Sequence, residues 1–240
     1  RSIRKFRSEP IAPEVLQDML EAASRASTCG NMQLYSLIVT QSRELREALA
    51  PCHFNQPMVT QAPCVITVCA DVHRFSMWCE QRDAEPCYDN FAWFLNGVTD
   101  ALLAAQNLCV EAEAHGLGIC YLGTTIYTAE EIARILDLPK GVIPVTTIVV
   151  GHPDESPELT DRLPLDAVVH CEKYHHYTSS EIDELWAEKE TSEETRRLLE
   201  ENGLPNLAQI FTRNRYRAED NLAISRNYFA LLKKQGFFNN

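Results

Sequence analysis

Residues 88–115 are the longest helical candidate in this chain, and apolar side chains surround nearly the whole circumference. A helix that is apolar on every side has to run through a core or along a subunit interface. At 1.5 Å per residue it spans on the order of 40 Å, so the rest of the fold must be arranged around it. Asn96, Asp100, Gln106, Asn107 and Glu111 interrupt the apolar run, which therefore does not read as a bilayer-crossing segment. Gly116 and Gly118 end it.

Four stretches around this helix read as strands: YSLIVTQ from Tyr35, PCVITVCAD from Pro63, ICYL from Ile119 and GVIPVTTIVVGHP from Gly141. The second shows no polar alternation, which predicts burial on both faces. Pro13 opens a first amphipathic helix, with Val15, Met19, Leu20 and Ala23 as its apolar stripe. SRELREALAP and TAEEIARILDLP read as short helices, the latter with Thr128 placed to cap it. The loose alternation of strands and helices favours a sheet with helices on both sides. After about Cys171 the character changes to the charged helical run SSEIDELWAEKETSEETRRLLEENG, then NLAQIFTRNRYR, then a final amphipathic helix over 218–235 stopped by Gly236.

The 240 residues carry a formal net charge of -12. That excludes a generic binder of nucleic acid or anionic membrane, because phosphate would be repelled, and any anion site must be local. The nine cysteines form no CxxC pair, and several lie among apolar neighbours. They read as free thiols of a protein from a reducing cytoplasm, with no zinc site and no disulfide framework. No Met precedes Arg1, so the sequence is expected to begin inside a longer product, which would hide any secretory signal.

Against that acidic background, RSIRKF at the first residue stands out. Arg1, Ser2 and Arg4 offer forked donors and a hydroxyl suited to a phosphate monoester; the alternative is a solvated terminus. STCGNMQ can present backbone N–H groups and short hydroxyl or amide side chains to a ligand, or merely connect a helix to a strand. YLGTT turns at a strand end, where ligands of α/β sheets bind. Arg162 either anchors the same anion or pairs with Asp161 or Asp166. GxGxxG after the first strand, GxxxxGK[ST], HExxH and GxSxG are all absent.

In their order and spacing, RSIRKF, STCGNMQ, NQPMVTQAP, ALLAAQNLCVEAEAHGLGICYLGT and VVGHPDESPELTDRLP resemble the nitroreductase family of FMN-dependent oxidoreductases, most closely its NADPH-preferring flavin reductase and major oxygen-insensitive nitroreductase branch. The resemblance implies an α+β fold: a mixed, mostly antiparallel central sheet flanked by helices, in an intertwined homodimer with an extended C-terminal arm. Residues 1–170 would be the FMN-binding core and 171–240 a helical extension of the same domain. Arg1, Ser2 and Arg162 would hold the FMN phosphate end, and Arg4 would reach the ribityl chain or the pyrimidine edge. Thr28, Cys29, Gly30 and Asn31 would lie along the flavin, with Gln56, Pro57 and Met58 at its pyrimidine ring. Tyr121, Leu122, Gly123 and Thr124 would turn over the isoalloxazine. Arg213, Arg215 or Arg217 would meet the NADPH 2′-phosphate.

The implied activity is NAD(P)H oxidation coupled in ping-pong fashion to reduction of nitroaromatics, quinones or free flavin. The chemistry resides on FMN, so no catalytic side chain and no metal is assigned. A flavin-binding sensor without turnover, a reductive dehalogenase and an ene-reductase are the alternatives. Two departures from the family pattern are visible: Thr160 stands where the branch often has Lys, and Thr28, Cys29 and Gly30 replace a serine-rich loop.

Overall fold

Eight consecutive residues of the second strand, Cys64–Asp71, are buried, as its apolar run predicts. The computed structural model describes residues 1–238. It places this strand, β2, between β1 (Tyr35–Thr40) and β4 (Val142–Gly151), with β3 (Gly118–Leu122) beyond β4. The order is β1-β2-β4-β3, and every ladder is antiparallel. The double burial of β2 therefore comes from its central place, not from parallel pairing. The strand-end crevice of parallel sheets does not apply either, so the role of the YLGTT turn must rest on its own contacts.

Alternation along the strands separates two cores. Ile66, Val68, Ile148, Val150 and Ile119 face α1 (Pro13–Ser24) and α5 (Phe91–Ala114). Val65, Val149, Cys120 and Leu122 face the other way, against Ile3, Phe6 and the short helix α3 (Met58–Gln61). The remaining helices of this part are α2 (Arg43–Leu49), α4 (His73–Glu80) and α6 (Ala129–Ile135). Thr128 does not cap α6; its hydroxyl donates to the Cys52 carbonyl at 2.7 Å, tying the helix start to a neighbouring loop.

The long helix is shorter than its apolar run, because Asn90 caps it by accepting from the Trp93 N–H at 3.3 Å. Its sheet side is built of small residues, with Gly97, Ala101, Ala104, Ala105 and Ala112 buried. Of its larger apolar residues, Phe94 and Leu108 are buried with them, while Phe91, Leu95, Leu102, Leu103 and Val110 are exposed. Small residues inside let the helix lie close on the sheet: a Cβ at Gly97 would sit 3.1 Å from that of Ala70.

The basic first segment docks on the sheet through its backbone and its apolar side chains. Ser2 bridges Ile119 of β3 in parallel, the one parallel pairing among the described residues, and Phe6 bridges Pro153. The Ile3 N–H donates to the Ile119 carbonyl at 2.8 Å. Ile3 and Phe6 are buried while Arg1, Ser2, Arg4 and Lys5 are exposed. Glycine at 118 makes this docking possible, since a Cβ there would meet Ile3 at 2.7 Å.

The chain divides into two compact units, residues 1–157 with the described residues from 224 onward, and Glu158–Ala223. In the second, the charged run forms two helices, α7 (Ser179–Thr191) and α8 (Glu193–Asn202), because Ser192 ends one and caps the next through the Thr195 N–H. α9 (Leu207–Ile210) continues into a π-helical turn over Phe211–Arg215. The last helix, α10 (Ala218–Lys234), ends in the first unit, where Leu232 and Phe237 are buried with Leu34, Phe94 and Ile143.

Candidate functional site

The N-terminal segment presents two side-chain cations, Arg4 and Lys5, without carboxylate partners among the described residues. The Arg4 and Lys5 backbone N–H groups donate to Glu155 Oε1, at 2.5 and 3.1 Å. Arg1 donates from its guanidinium to the Pro157 carbonyl at 2.5 Å. The Arg4 and Lys5 amides are thus spent on Glu155. The Arg4 guanidinium and Lys5 ammonium have no hydrogen-bond or ion-pair partner among the described residues. Both cations stand exposed in a chain with 34 acidic residues. Burial raises the Cys120 thiol, while the Arg4 charge and the Ser2 hydroxyl act against that, which sets both groups beside β3.

β3 ends in a turn at Gly123. Leu122 is buried and contributes backbone alone, and Tyr121 points into the α5 side, where burial raises its phenol and Gln106 Oε1 lies 3.5 Å from its oxygen. A Cβ at Gly123 would meet nothing within 4 Å. Thr124 Oγ1 lies 2.8 Å from His53 Nδ1. Thr125 donates to the Leu122 carbonyl at 2.9 Å and stands 3.0 Å from Thr147 Oγ1.

His53 in turn positions Gln56, whose N–H donates to the His53 carbonyl at 3.1 Å. Between them, Phe54 and Asn55 are both left-handed, at φ 55° and 53°. Two consecutive non-glycine residues in that region cost energy and persist where surroundings hold them, often at functional sites. The Gln56 side-chain amide has no partner among the described residues. Pro57 is exposed, and the Met58 side chain belongs to the core shared by Ile3, Phe6 and Leu122. That shared core gathers the N-terminal segment, the Gln56 loop and β3 on one side of the sheet.

The fourth segment lies elsewhere. The Thr28 hydroxyl donates to Asp100 Oδ2 at 2.5 Å, and the Cys29 N–H donates to Oδ1 at 2.9 Å. The Leu34 N–H donates to Oδ2 at 3.1 Å, and the Gln33 N–H to Thr28 Oγ1 at 2.9 Å. The expected hydroxyl donor is therefore committed inward. Cys29, Gly30 and Asn31 stay exposed. Arg74 holds the far side through the carbonyls of Gln33 and, at 3.2 Å, Tyr35.

One chain does not bring all four segments together. Asp100, under the Thr28 loop, and Glu113, 2.9 Å from the Arg1 backbone nitrogen, are both on α5. Thirteen residues of helix separate them, roughly 20 Å. The Thr28 loop leads into edge strand β1, and Arg1, Ser2 and Arg4 adjoin the opposite edge, β3.

Within the second unit, Arg162 donates to Thr160 Oγ1 at 2.7 Å and to the Asp161 carbonyl at 2.8 Å. It does not pair with the carboxylate of Asp161, which goes to Lys189 at 3.0 Å, nor with that of Asp166. Arg217 is held by Asp220 at 2.7 Å and Glu219 at 3.0 Å. Arg215 lies over the Phe211 ring, 5.4 Å from its centroid, and Phe211 stacks on Tyr216. Arg213 has no partner among the described residues.

Sequence reasoning passed over Asp100, His53 and Glu155. A signal existed for the first: a carboxylate inside an apolar helix must find donors or not be buried.

The sequence model of the Nitroreductase family matches residues 1–152. An NADPH-dependent oxidoreductase of Staphylococcus aureus (strain USA300) is 35% identical over 178 residues, 72% of this chain and 70% of that protein. A crystal structure of an oxidoreductase from Bacteroides fragilis NCTC 9343 superposes with a TM-score of 0.98 at 49% identity, covering 100% of this chain and 97% of the other. NADPH:FMN oxidoreductase from Vibrio harveyi, complexed with NAD+, superposes with a TM-score of 0.83 at 26% identity, covering 100% and 96%.

Proposed function

Because this chain belongs to the nitroreductase family, whose members are FMN-dependent NAD(P)H oxidoreductases, we propose that it reduces small planar acceptors (nitroaromatics, quinones or free flavin) in ping-pong alternation with NADPH. The observation that carries the reading is the unpaired Arg4 guanidinium beside β3, next to a turn with open space over Gly123. The residues fit FMN: Arg4 and Ser2 suit its phosphate and ribityl end, and the unpartnered Gln56 amide suits the pyrimidine edge. Bound FMN supplies the electron-transfer chemistry. The chain's own part is placement and charge. Arg4 and Gln56 offer donors where negative charge accumulates on reduction. His53 fixes the Gly123 turn through Thr124, and no side chain has to act as an acid.

The site is completed by a second copy of the chain. Cys29, Gly30 and Asn31 stand on the other side of the sheet from Arg4, and the exposed Phe91, Leu95, Leu102, Leu103 and Val110 offer an apolar helix face to be covered. Arg162 is kept as a candidate for the FMN phosphate, and Arg213 is the arginine we assign to the 2′-phosphate of NADPH. Six buried free thiols suit a reducing cytoplasm.

The experiment is an absorbance titration of the purified protein. Bound FMN should be bleached by NADPH without oxygen and recover its colour when a nitroaromatic is added. Protein that takes up no FMN, or whose bound FMN stays oxidised with both nicotinamides, removes this reading.

A further inference from the structure

Asp100 has the features of a device and not of a packing residue. It is 2% exposed, on the sheet side of α5. It accepts from three neutral donors, the Thr28 hydroxyl and the Cys29 and Leu34 N–H groups, and has no ion-pair partner among the described residues. The loop it holds is otherwise unfavourable: Gly30, Asn31 and Gln33 are all left-handed, at φ 56°, 56° and 48°. Two such non-glycine residues in three positions persist when their surroundings over-determine them. Here Asp100 grips from within and Arg74 from outside, leaving Cys29, Gly30 and Asn31 as the exposed rim.

We propose that Asp100 is a positioning residue: it fixes the flavin-facing loop in its binding shape before the ligand arrives, and it keeps a negative charge beneath that loop which makes bound FMN harder to reduce. The inference rests on the flavin reading above for its second half, and on the chain alone for its first. Preorganisation follows because an ordered rim need not lose conformational freedom on binding. The charge effect follows because electrons added to a ring near a fixed carboxylate meet repulsion weakly screened by solvent.

The test uses the full chain in a Cys87→Ser, Cys171→Ser background, which leaves Cys29 as the exposed thiol. Without FMN, Asp100→Asn should raise the rate of Cys29 labelling by the thiol reagent DTNB by about tenfold, through loop opening. With FMN it should weaken binding by about tenfold, the size of one lost bond to a charged group. It should also raise the potential of bound FMN by about 30 mV, a tenfold shift of a two-electron equilibrium. Thr28→Val removes one donor and leaves the charge, so it should reproduce the labelling and affinity changes without the potential shift, and Thr28→Ser should restore both.

Unchanged labelling and affinity in Asp100→Asn overturn the positioning role, and an unchanged potential overturns the charge effect. Should Asp100→Asn fail to fold, Thr28→Val against Thr28→Ser decides the positioning. Parent protein that binds no FMN would sink the flavin reading and, with it, the charge effect; the labelling arm would still decide whether Asp100 holds the loop.

Discussion

The imidazole of His53 and the hydroxyl of Thr124, 71 residues apart in sequence, meet at 2.8 Å. This contact joins the Gln56 loop to the Gly123 turn, and it is made by a fully buried histidine whose Nε2 has no partner among the described residues. Burial pushes its pKa down from 6.5 to about 4. The unfolded chain therefore takes up a proton that the folded chain refuses, and stability is lost as pH falls from about 6.5 through about 4. The loss amounts to roughly 3 kcal/mol across that window. Urea unfolding at pH 7, 5.5 and 4.5 measures it, and His53→Gln should flatten the pH dependence while lowering stability at pH 7.

Arg4 is exposed and unpaired, so its removal should cost binding and not folding. Arg4→Ala should weaken FMN affinity by about 10- to 100-fold, the worth of a charge-assisted bond. Arg4→Lys should recover part of it, since an ammonium keeps the charge but not the fork. Fluorescence titration reads the affinity, and thermal unfolding of the FMN-free protein should be unchanged in both variants.

Gly118 tests whether the first segment must sit where it does. Gly118→Ala drives a methyl to 2.7 Å from Ile3, so either the N-terminal segment shifts or β3 strains. Overpacking of this kind costs about 1–3 kcal/mol. The expected outcome is a lower denaturation midpoint together with weaker FMN binding, because Arg4 moves with Ile3. Loss of stability with affinity intact would separate the segment from the anion site.

The elements were largely legible, and the wiring between them was not. β2 and α5 announce themselves through uninterrupted apolar character, whereas the antiparallel pairing was implied by the family resemblance and not by the strands themselves. RSIRKF stood out as a cluster of cations in an acidic chain, and its assignment to a phosphate came from the family resemblance. Asp100, however, read as a break in an apolar run, and Thr28 as a free donor. Their bond spans 72 positions, and no local period reports a contact of that separation. His53 was hidden for the same reason: its partner Thr124 arrives from the end of β3, 71 positions away. Met58 shows the converse, a residue in a site motif whose side chain the fold spends in the core.

The exposed face of α5 predicts assembly. Leu102→Glu puts a charge into the apolar stripe of Leu95, Leu103 and Val110 and should cost the dimer at least about 2 kcal/mol, the scale of an interface hot spot. Light scattering should show monomer at micromolar concentration. FMN binding should fall with it, since the Thr28 loop and Arg4 belong to opposite sides of the sheet. A Leu102→Glu protein that is monomeric yet binds FMN as tightly as the parent would place the whole site within one chain.

The two outer arginines of the 213–217 stretch make opposite predictions. Arg217 already serves Asp220 and Glu219, so Arg217→Ala removes surface ion pairs worth little and should leave nicotinamide kinetics as they were. Arg213 has no partner among the described residues to lose. If it meets the 2′-phosphate, Arg213→Ala should raise the KM for NADPH by about tenfold or more, as the loss of a bond between charged groups does, and leave the KM for NADH unchanged. Steady-state kinetics with the two nucleotides makes the comparison within a single variant, so a general loss of activity cannot imitate it. Equal effects on NADPH and NADH would remove Arg213 from the phosphate and turn attention to Arg215, whose guanidinium is held over the Phe211 ring.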